Sequence, residues 1–243
     1  MLKRIVKRIL ARLGYRIASV NEAPAINKFT TEEALKRCIE RGLKINTVID
    51  VGASDGRWSR TCLKYFPEAS YLLIEAQDAH KEGLQQIKSE FKNVNYVLAA
   101  AGDREGEIYF NNEDLFGGIA SDKPFDSNCI KVKVTTIDKE VKALQLKGPY
   151  LIKLDTHGFE VPILNGALET IKNTELFIIE TYNYKIAANS LRYFEMCQYM
   201  ENIGYSSIEV VDFMLRVKDA SFWQMDMFFI PSNRYEFDYI SYK

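Results

Sequence analysis

The chain has few of the residues that build metal centres or covalent frameworks. Four cysteines and two histidines occur among 243 residues, and Cys38, Cys62, Cys129 and Cys197 are scattered with no Cys-x-x-Cys pair and no histidine nearby. Neither a zinc site nor a disulfide framework is signalled, and the pattern fits reduced, mostly buried thiols in a cytoplasmic protein. An excess of one charge is missing as well. With 32 basic and 33 acidic side chains, the formal net charge of −1 gives no reason to expect a nucleic-acid partner. No apolar run approaches the roughly twenty residues needed to span a bilayer. There is no internal repeat and no low-complexity block. A chain of this length and composition can bury a full core as one α/β domain.

What is present is organised around Thr47-Val48-Ile49-Asp50-Val51-Gly52-Ala53-Ser54-Asp55-Gly56. A short run rich in β-branched residues turns through Gly-x-x-x-Gly into a helical pattern, as a buried parallel strand does when it feeds a helix. Gly52 is expected to let the backbone turn and approach a ligand, and Gly56 to let the helix start pack or expose its amides. A second strand, Tyr71 to Glu75, ends in an acid about twenty residues later, where such folds hold a ribose diol. The loop has Ala53 and Ser54 where a dinucleotide fingerprint needs its second glycine, and it lacks the Gly-Lys-Ser/Thr of a phosphate loop. A loop with few bare amides and an acid at its mouth suits a cationic ligand. S-adenosylmethionine is one, with Asp50 expected on its ammonium and Glu75 on its ribose.

Residues 1–16 form a basic amphipathic pattern, with Leu2, Ile5, Ile9 and Leu13 at helical spacing and cations between them. Two roles compete: a helix lying on anionic lipid, and one docking its stripe on protein. A linker follows to residue 29, leaving 30–243 as the single domain. Thr30 to Glu33 forms a capping box for a helix whose Ala34, Leu35, Cys38 and Ile39 face inward before Gly42 stops it. His80 is expected as a solvated first-turn residue of the helix Asp78 to Phe91. Val94 to Ala101 is expected as one strand, in which small residues such as Ala100 leave room for a flat base. Glu107 to Phe110 should return antiparallel. Residues 111–128 lack periodicity, and Phe116 and Phe125 favour a lid over a site. A strand from Ile130 to Thr135 and a short helix opened by Thr136 come next. Further on, a helix from Asn189 to Asn202 should turn Leu191, Phe194, Met196 and Met200 inward. The strands Tyr205 to Val211 and Phe222 to Ile230 should close the sheet as a hairpin.

The second informative stretch is Tyr150-Leu151-Ile152-Lys153-Leu154-Asp155-Thr156-His157-Gly158-Phe159-Glu160. A buried strand ends in Asp, and Asp155, His157 and Glu160 then crowd around a glycine before a helix from Val161 to Ile171. The carboxyl ends of parallel strands form the ligand crevice of an open sheet, so this corner and the Gly52 elbow should share one cleft. Leu176 to Glu180 ends in an acid as well and leads to Asn183. Lys153, Glu180 and Asn183 are therefore candidates for the acceptor side.

Taken together, Val-Ile-Asp50-Val-Gly52-Ala-Ser-Asp-Gly56, Leu-Ile-Glu75-Ala, Ala-Ala-Gly102-Asp, Val-Thr-Thr136-Ile-Asp138, Lys153-Leu-Asp155-Thr-His157-Gly158-Phe-Glu160 and Ile-Ile-Glu180 resemble the FkbM family of S-adenosylmethionine-dependent methyltransferases. The resemblance covers roughly residues 46 to 185. It implies a class I methyltransferase fold, a seven-stranded, mostly parallel sheet with its last strand antiparallel and helices on both faces. It also implies O-methylation of hydroxyls on sugars or polyketides. The chain departs from the family at Ser54, where Asn is frequent, and at His157, where Glu is frequent.

A sugar hydroxyl is a weak nucleophile at neutral pH, so His157 is expected as the general base, with Asp155 or Glu160 orienting it or accepting in its place. Asp155, Glu160 and Glu180 could also offer oxygens to Mg²⁺, although no metal is called for by the pattern. Nucleic-acid amine methylation is disfavoured because no Asp/Asn-Pro-Pro-Tyr motif occurs. The competing function class is a non-catalytic domain that keeps the fold to bind a partner or a glycan.

Overall fold

The computed structural model describes residues 28–242; the basic stretch 1–16 and most of the linker lie outside them. Seven strands form the main sheet: β1 (Thr47–Val51), β2 (Ser70–Glu75), β3 (Val94–Leu98), β8 (Tyr150–Leu154), β9 (Thr174–Tyr182), β10 (Tyr205–Leu215) and β11 (Phe222–Pro231), in the order β10-β11-β9-β8-β1-β2-β3. β3, β2, β1, β8 and β9 are parallel neighbours, and β11 runs antiparallel to both β9 and β10. Every residue of β1 and β8 is buried, as their unbroken apolar runs require of central strands covered on both faces.

Two hydrophobic layers flank the sheet. One joins Val48, Leu73 and Leu151 to helices α1 (Thr31–Glu40), α2 (Arg57–Cys62) and α3 (Lys81–Glu90). The other joins Ile49, Val51, Ile152 and Leu154 to α4 (Ile137–Ala143), α5 (Glu160–Asn165), α6 (Leu168–Ile171) and α7 (Tyr193–Asn202). Side chains alternate along a strand, so neighbouring residues of β1 serve opposite layers. Thr30 caps α1 as expected, its side chain accepting from the Glu33 amide, and Thr31 and Arg37 tie the helix to Asp212 and Glu209 of the edge strand β10. Ile39 and Phe194, expected inward, are exposed, because each lies just off the stripe that its helix buries.

Three elements differ from the sequence expectation. The expected strand 94–101 breaks at Ala99, whose amide donates to the Glu75 carbonyl, and continues as β4 (Ala100–Ala101) in a second sheet of order β4-β7-β5-β6. In that sheet β5 (Gly106–Asn111) pairs antiparallel with β7 (Cys129–Thr135), and β6 (Ile119–Ser121) falls within the stretch expected to be irregular. The helix expected over 161–171 divides into α5 and α6 at Gly166, where an added Cβ would lie 1.9 Å from the Gly102 carbonyl oxygen.

Candidate active site

The elbow after β1 and the corner after β8 touch directly. Gly52 has φ +75°, and a Cβ on it would lie 2.0 Å from the carbonyl oxygen of Asp155. The Asp155 amide in turn donates to the Val51 carbonyl at 3.0 Å. The close approach that Gly52 allows is thus made to backbone of the neighbouring corner. Gly56, at φ +83°, lets the start of α2 sit against Ile87, 3.1 Å from where a Cβ would stand.

Above these turns lies a hollow of about 480 Å³. Its apolar end is walled by Ile74, Ala99, Ala100, Phe110, Phe159 and Ile163, and Gly52, Ala53, Ser54 and Glu75 line it as well. Glu75 is fixed by main chain: its Oε2 accepts from the Ser54 amide at 2.8 Å and its Oε1 from the Gln77 amide at 2.7 Å. Burial pushes this carboxyl up, against the pull of those two amides. Ser54 holds φ +52°, a left-handed conformation that is costly for a residue with a Cβ.

Asp50 does not line the hollow. It is fully buried on the α2 side of the sheet, where its Oδ2 accepts from Ser59 Oγ at 2.7 Å and its Oδ1 faces Lys153 Nζ at 3.7 Å. The expected contact with a ligand ammonium is therefore replaced by an internal ion pair. The register explains it: Asp50 sits opposite Lys153 and one residue before the strand ends, whereas Asp155 follows the last residue of β8.

On the polar side, Lys153, Asp155, Thr156 and His157 line the hollow. Lys153 Nζ lies 2.8 Å from Asp155 Oδ2 and 5.4 Å from the Trp58 ring. Burial works against its charge, yet Asp155 and Asp50 raise its pKa above the usual lysine range. Burial alone would raise Asp155, but the Lys153 ammonium brings its carboxyl below the usual range. His157 adopts φ +51° and turns its Nδ1 toward Tyr182 Oη at 2.7 Å and Glu180 Oε2 at 3.1 Å. Burial opposes protonation, but Glu180 overrides it and the imidazole is pushed up to about 9. At neutral pH His157 is an imidazolium, not the free base expected of it.

Three other expected residues are turned away from the hollow. Glu160 is buried and closes its own turn, its Oε1 accepting from the Gly158 amide at 2.8 Å and from Thr156 Oγ1 at 3.2 Å. Glu180 accepts from the Tyr182 hydroxyl and from Gln224. Asn183 Nδ2 donates to the Phe222 carbonyl at 3.2 Å and locks the end of β9 to β11. Asp155, His157 and Glu180 can each offer a ligand atom within 4.8 Å of the others, the one such group among the described residues. Lys153 already holds Asp155, and Tyr182 holds Glu180 and His157.

A strap crosses the mouth of the hollow. His80 is buried rather than solvated, and its Nε2 donates to the Leu115 carbonyl at 2.8 Å. Gln77 Nε2 donates to the same carbonyl at 3.0 Å. His157 Nε2 donates to the Phe116 carbonyl at 3.0 Å, and the Arg57 guanidinium lies 4.6 Å over the Phe116 ring. The expected lid is thus in place around Leu115 and Phe116, which line the hollow as Phe125 does not.

The profile of the Methyltransferase FkbM domain matches residues 50–207. The chain belongs to this family. Among solved structures, Methyltransferase FkbM from Methylobacillus flagellatus aligns with a TM-score of 0.50 at 16% identity, over 75% of this chain and 43% of that one. The chain therefore spans less than half the length of that relative. A putative tRNA (m1A22) methyltransferase from Streptococcus pneumoniae in complex with S-adenosyl-L-methionine aligns with a TM-score of 0.48 at 11% identity, over 86% and 75% of the two chains. A precorrin-6y C5,15-methyltransferase from Geobacter metallireducens gives 0.44 at 13%, over 86% and 93%. No curated protein matches. The fold of this family member is the mixed α/β arrangement of class I methyltransferases, with a mostly parallel sheet.

Sequence patterns did not mark Gln77, His80, Tyr182 or Asp226 as site residues. Asp226 stands opposite Glu180 on β11, and burial lifts its carboxyl to about 7 against the pull of Lys153. It reaches the cluster from mid-strand on the antiparallel strand, so no strand-end signal could reveal it.

Proposed function

We propose that this chain transfers a methyl group from S-adenosylmethionine to a hydroxyl of a saccharide or a related natural product. One observation carries this reading: the Gly52 elbow with Glu75 and the Lys153–Asp155–His157 corner abut through backbone and line one hollow. The donor fits the residues present. Glu75, held by two amides at the apolar end, is placed for a ribose diol, and Ala99, Ala100 and Phe110 leave a flat apolar slot for a base. When bound, the donor supplies an electrophilic methyl group.

The protein's share of the chemistry is alignment in a hollow shielded by the strap, worth up to about 7–11 kcal/mol in favourable cases. Methyl transfer would form the C–O bond as the donor's methyl carbon–sulfur bond breaks and its sulfur leaves as a neutral thioether, and the hydroxyl proton would pass to the Asp155 carboxylate, which Lys153 keeps ionised. A weak base suffices because the hydroxyl becomes strongly acidic as its oxygen gains the methyl group. His157 positions the acceptor wall and holds the strap. The test is calorimetric titration with S-adenosylmethionine, followed by a screen of nucleotide sugars and oligosaccharides for uptake of labelled methyl. Heat together with methyl uptake supports the reading. No heat points to a binding domain, and heat with a nicotinamide cofactor instead points to a dehydrogenase.

A further inference from the structure

The strap over the hollow keeps its own shape but is held down by side chains of other elements. Residues 112–118 join β5 to β6, and the ladder between those strands ends at the Asn111–Ile119 pair. Beyond that pair the main chain bonds sparsely. The Asn112 amide donates to the Asn128 carbonyl at the root, and the Gly117 amide donates to the Asp114 carbonyl at 3.5 Å within the turn. Asn111 and Asp114 fix the turn through their side chains, which accept from the Glu113 and Phe116 amides at 2.9 Å each. The loop is a preformed piece, and its attachment to the rest of the molecule is separate from its conformation.

That attachment is made at the tip, and from both corners. Gln77 and His80 donate to the Leu115 carbonyl from the turn after β2, and His157 donates to the next carbonyl, Phe116, from the turn after β8. His80 Nδ1 lies 3.4 Å from Ser54 Oγ, and the Ser54 amide donates to Glu75, so the latch on the β2 side stands on residues that also fix Glu75. At the root, a Cβ on Gly118 would lie 2.4 Å from the Phe110 ring, which seats the strap flat on a wall of the hollow. Leu115 and Phe116 line the hollow and are exposed to solvent as well, so the strap is a partition one residue thick. Such a segment, with few main-chain bonds and little buried surface, opens at far lower free energy than the sheet beneath it.

We propose that the strap is a gate: it lifts about its Asn111–Ile119 root when the side-chain latches on Leu115 and Phe116 break, and ligands of the hollow enter and leave in that lifted state. The gate rests on the methyl-transfer reading above only for the identity of the ligand. The test is stopped-flow binding of S-adenosylhomocysteine to the full chain, followed by the fluorescence of Trp58, which lines the hollow, together with hydrogen exchange at the amides of 113–118. In Q77L/H80F the association and dissociation rate constants should rise together, roughly tenfold, with Kd kept within about threefold. The amides of 113–118 in the same variant, free of ligand, should exchange roughly tenfold faster than in the parent. G118A leaves both latching side chains in place but pries the root from Phe110, and it should move both rate constants in the same direction. A rise in dissociation alone would make Gln77 and His80 plain contacts of the ligand and overturn the gate. Unchanged rate constants in both variants overturn it too, as does exchange at 113–118 that Q77L/H80F leaves at the parent's rate. Absence of S-adenosylhomocysteine binding to the parent chain tells against the methyl-transfer reading instead, and the exchange comparison then decides the gate by itself.

Discussion

The two corners that meet across the hollow are built by different means. On the β1–β2 side the carboxylate that lines the hollow, Glu75, is held by main-chain amides, and the wall behind it is alanine and glycine. On the β8–β9 side, side chains from separate strands hold one another: Lys153 and Asp155 from the end of β8, His157 from the turn after it, Glu180 and Tyr182 from β9, and Asp226 from β11. The first corner asks little of the sequence beyond small residues and one acid. The second depends on many side chains at once, so a single replacement there alters charge, shape and hydrogen bonding together. A donor common to many enzymes suits the first construction, and an acceptor peculiar to one suits the second.

The seam between the corners is where the comparison breaks most completely. Gly52→Ala puts a Cβ 2.0 Å from the Asp155 carbonyl oxygen at φ +75°. The left-handed backbone alone costs about 1–2 kcal/mol, and the clash adds to it. Both corners should fail together, with donor binding and turnover lost and the thermal midpoint lowered. Unchanged donor affinity in calorimetric titration would show that the corners do not share this contact.

Asp155→Asn should separate them next. The amide keeps the shape but cannot take a proton as the carboxylate does, so turnover should fall about 10²- to 10⁴-fold while donor affinity stays within a few-fold. Equal losses in both would return Asp155 to the donor corner. Glu75→Gln is the converse and smaller change. Losing a charged acceptor costs about 1.5–3 kcal/mol, so donor affinity should weaken some ten- to a hundredfold with turnover preserved at saturation. A fall in saturated turnover would place Glu75 in the chemical step.

The frame of this site was legible in the sequence because central parallel strands read as apolar runs and their carboxyl ends face one edge. That logic located the Gly52 elbow, Glu75, Lys153, Asp155 and His157 among the lining residues. It failed where depth along the strand decides the surroundings: Asp50 sits inside β1, in register with Lys153, and meets Ser59 of α2, while Asp155 sits just past β8 and lines the hollow. Acids at strand ends therefore look alike in sequence and differ in space. His80 was illegible for another reason. Its burial comes from the strap around Leu115, 35 residues further on, a contact that no local pattern encodes. The second sheet was missed because β4 has two residues and begins where the Val94 strand was expected to continue.

The smallest expected effect concerns pH and applies to one corner only. Glu180 lifts the His157 imidazole from an ordinary 6.5 to about 9, so the folded state binds a proton that the unfolded chain releases near 6.5. The stabilisation is complete below the unfolded value and is lost as pH rises through about 9. His157→Asn removes the charge and tolerates the left-handed backbone at this position. The parent chain should melt above this variant at pH near 6.5, and the two midpoints should converge as pH approaches and passes about 9. Glu75→Gln should show no such convergence over the same interval, since amides that do not titrate hold that carboxylate. Scanning calorimetry across the interval decides it: a parent-to-Asn difference that is flat with pH would mean that His157 carries no charge against Glu180, and that the acceptor corner is neutral where the geometry makes it ionic.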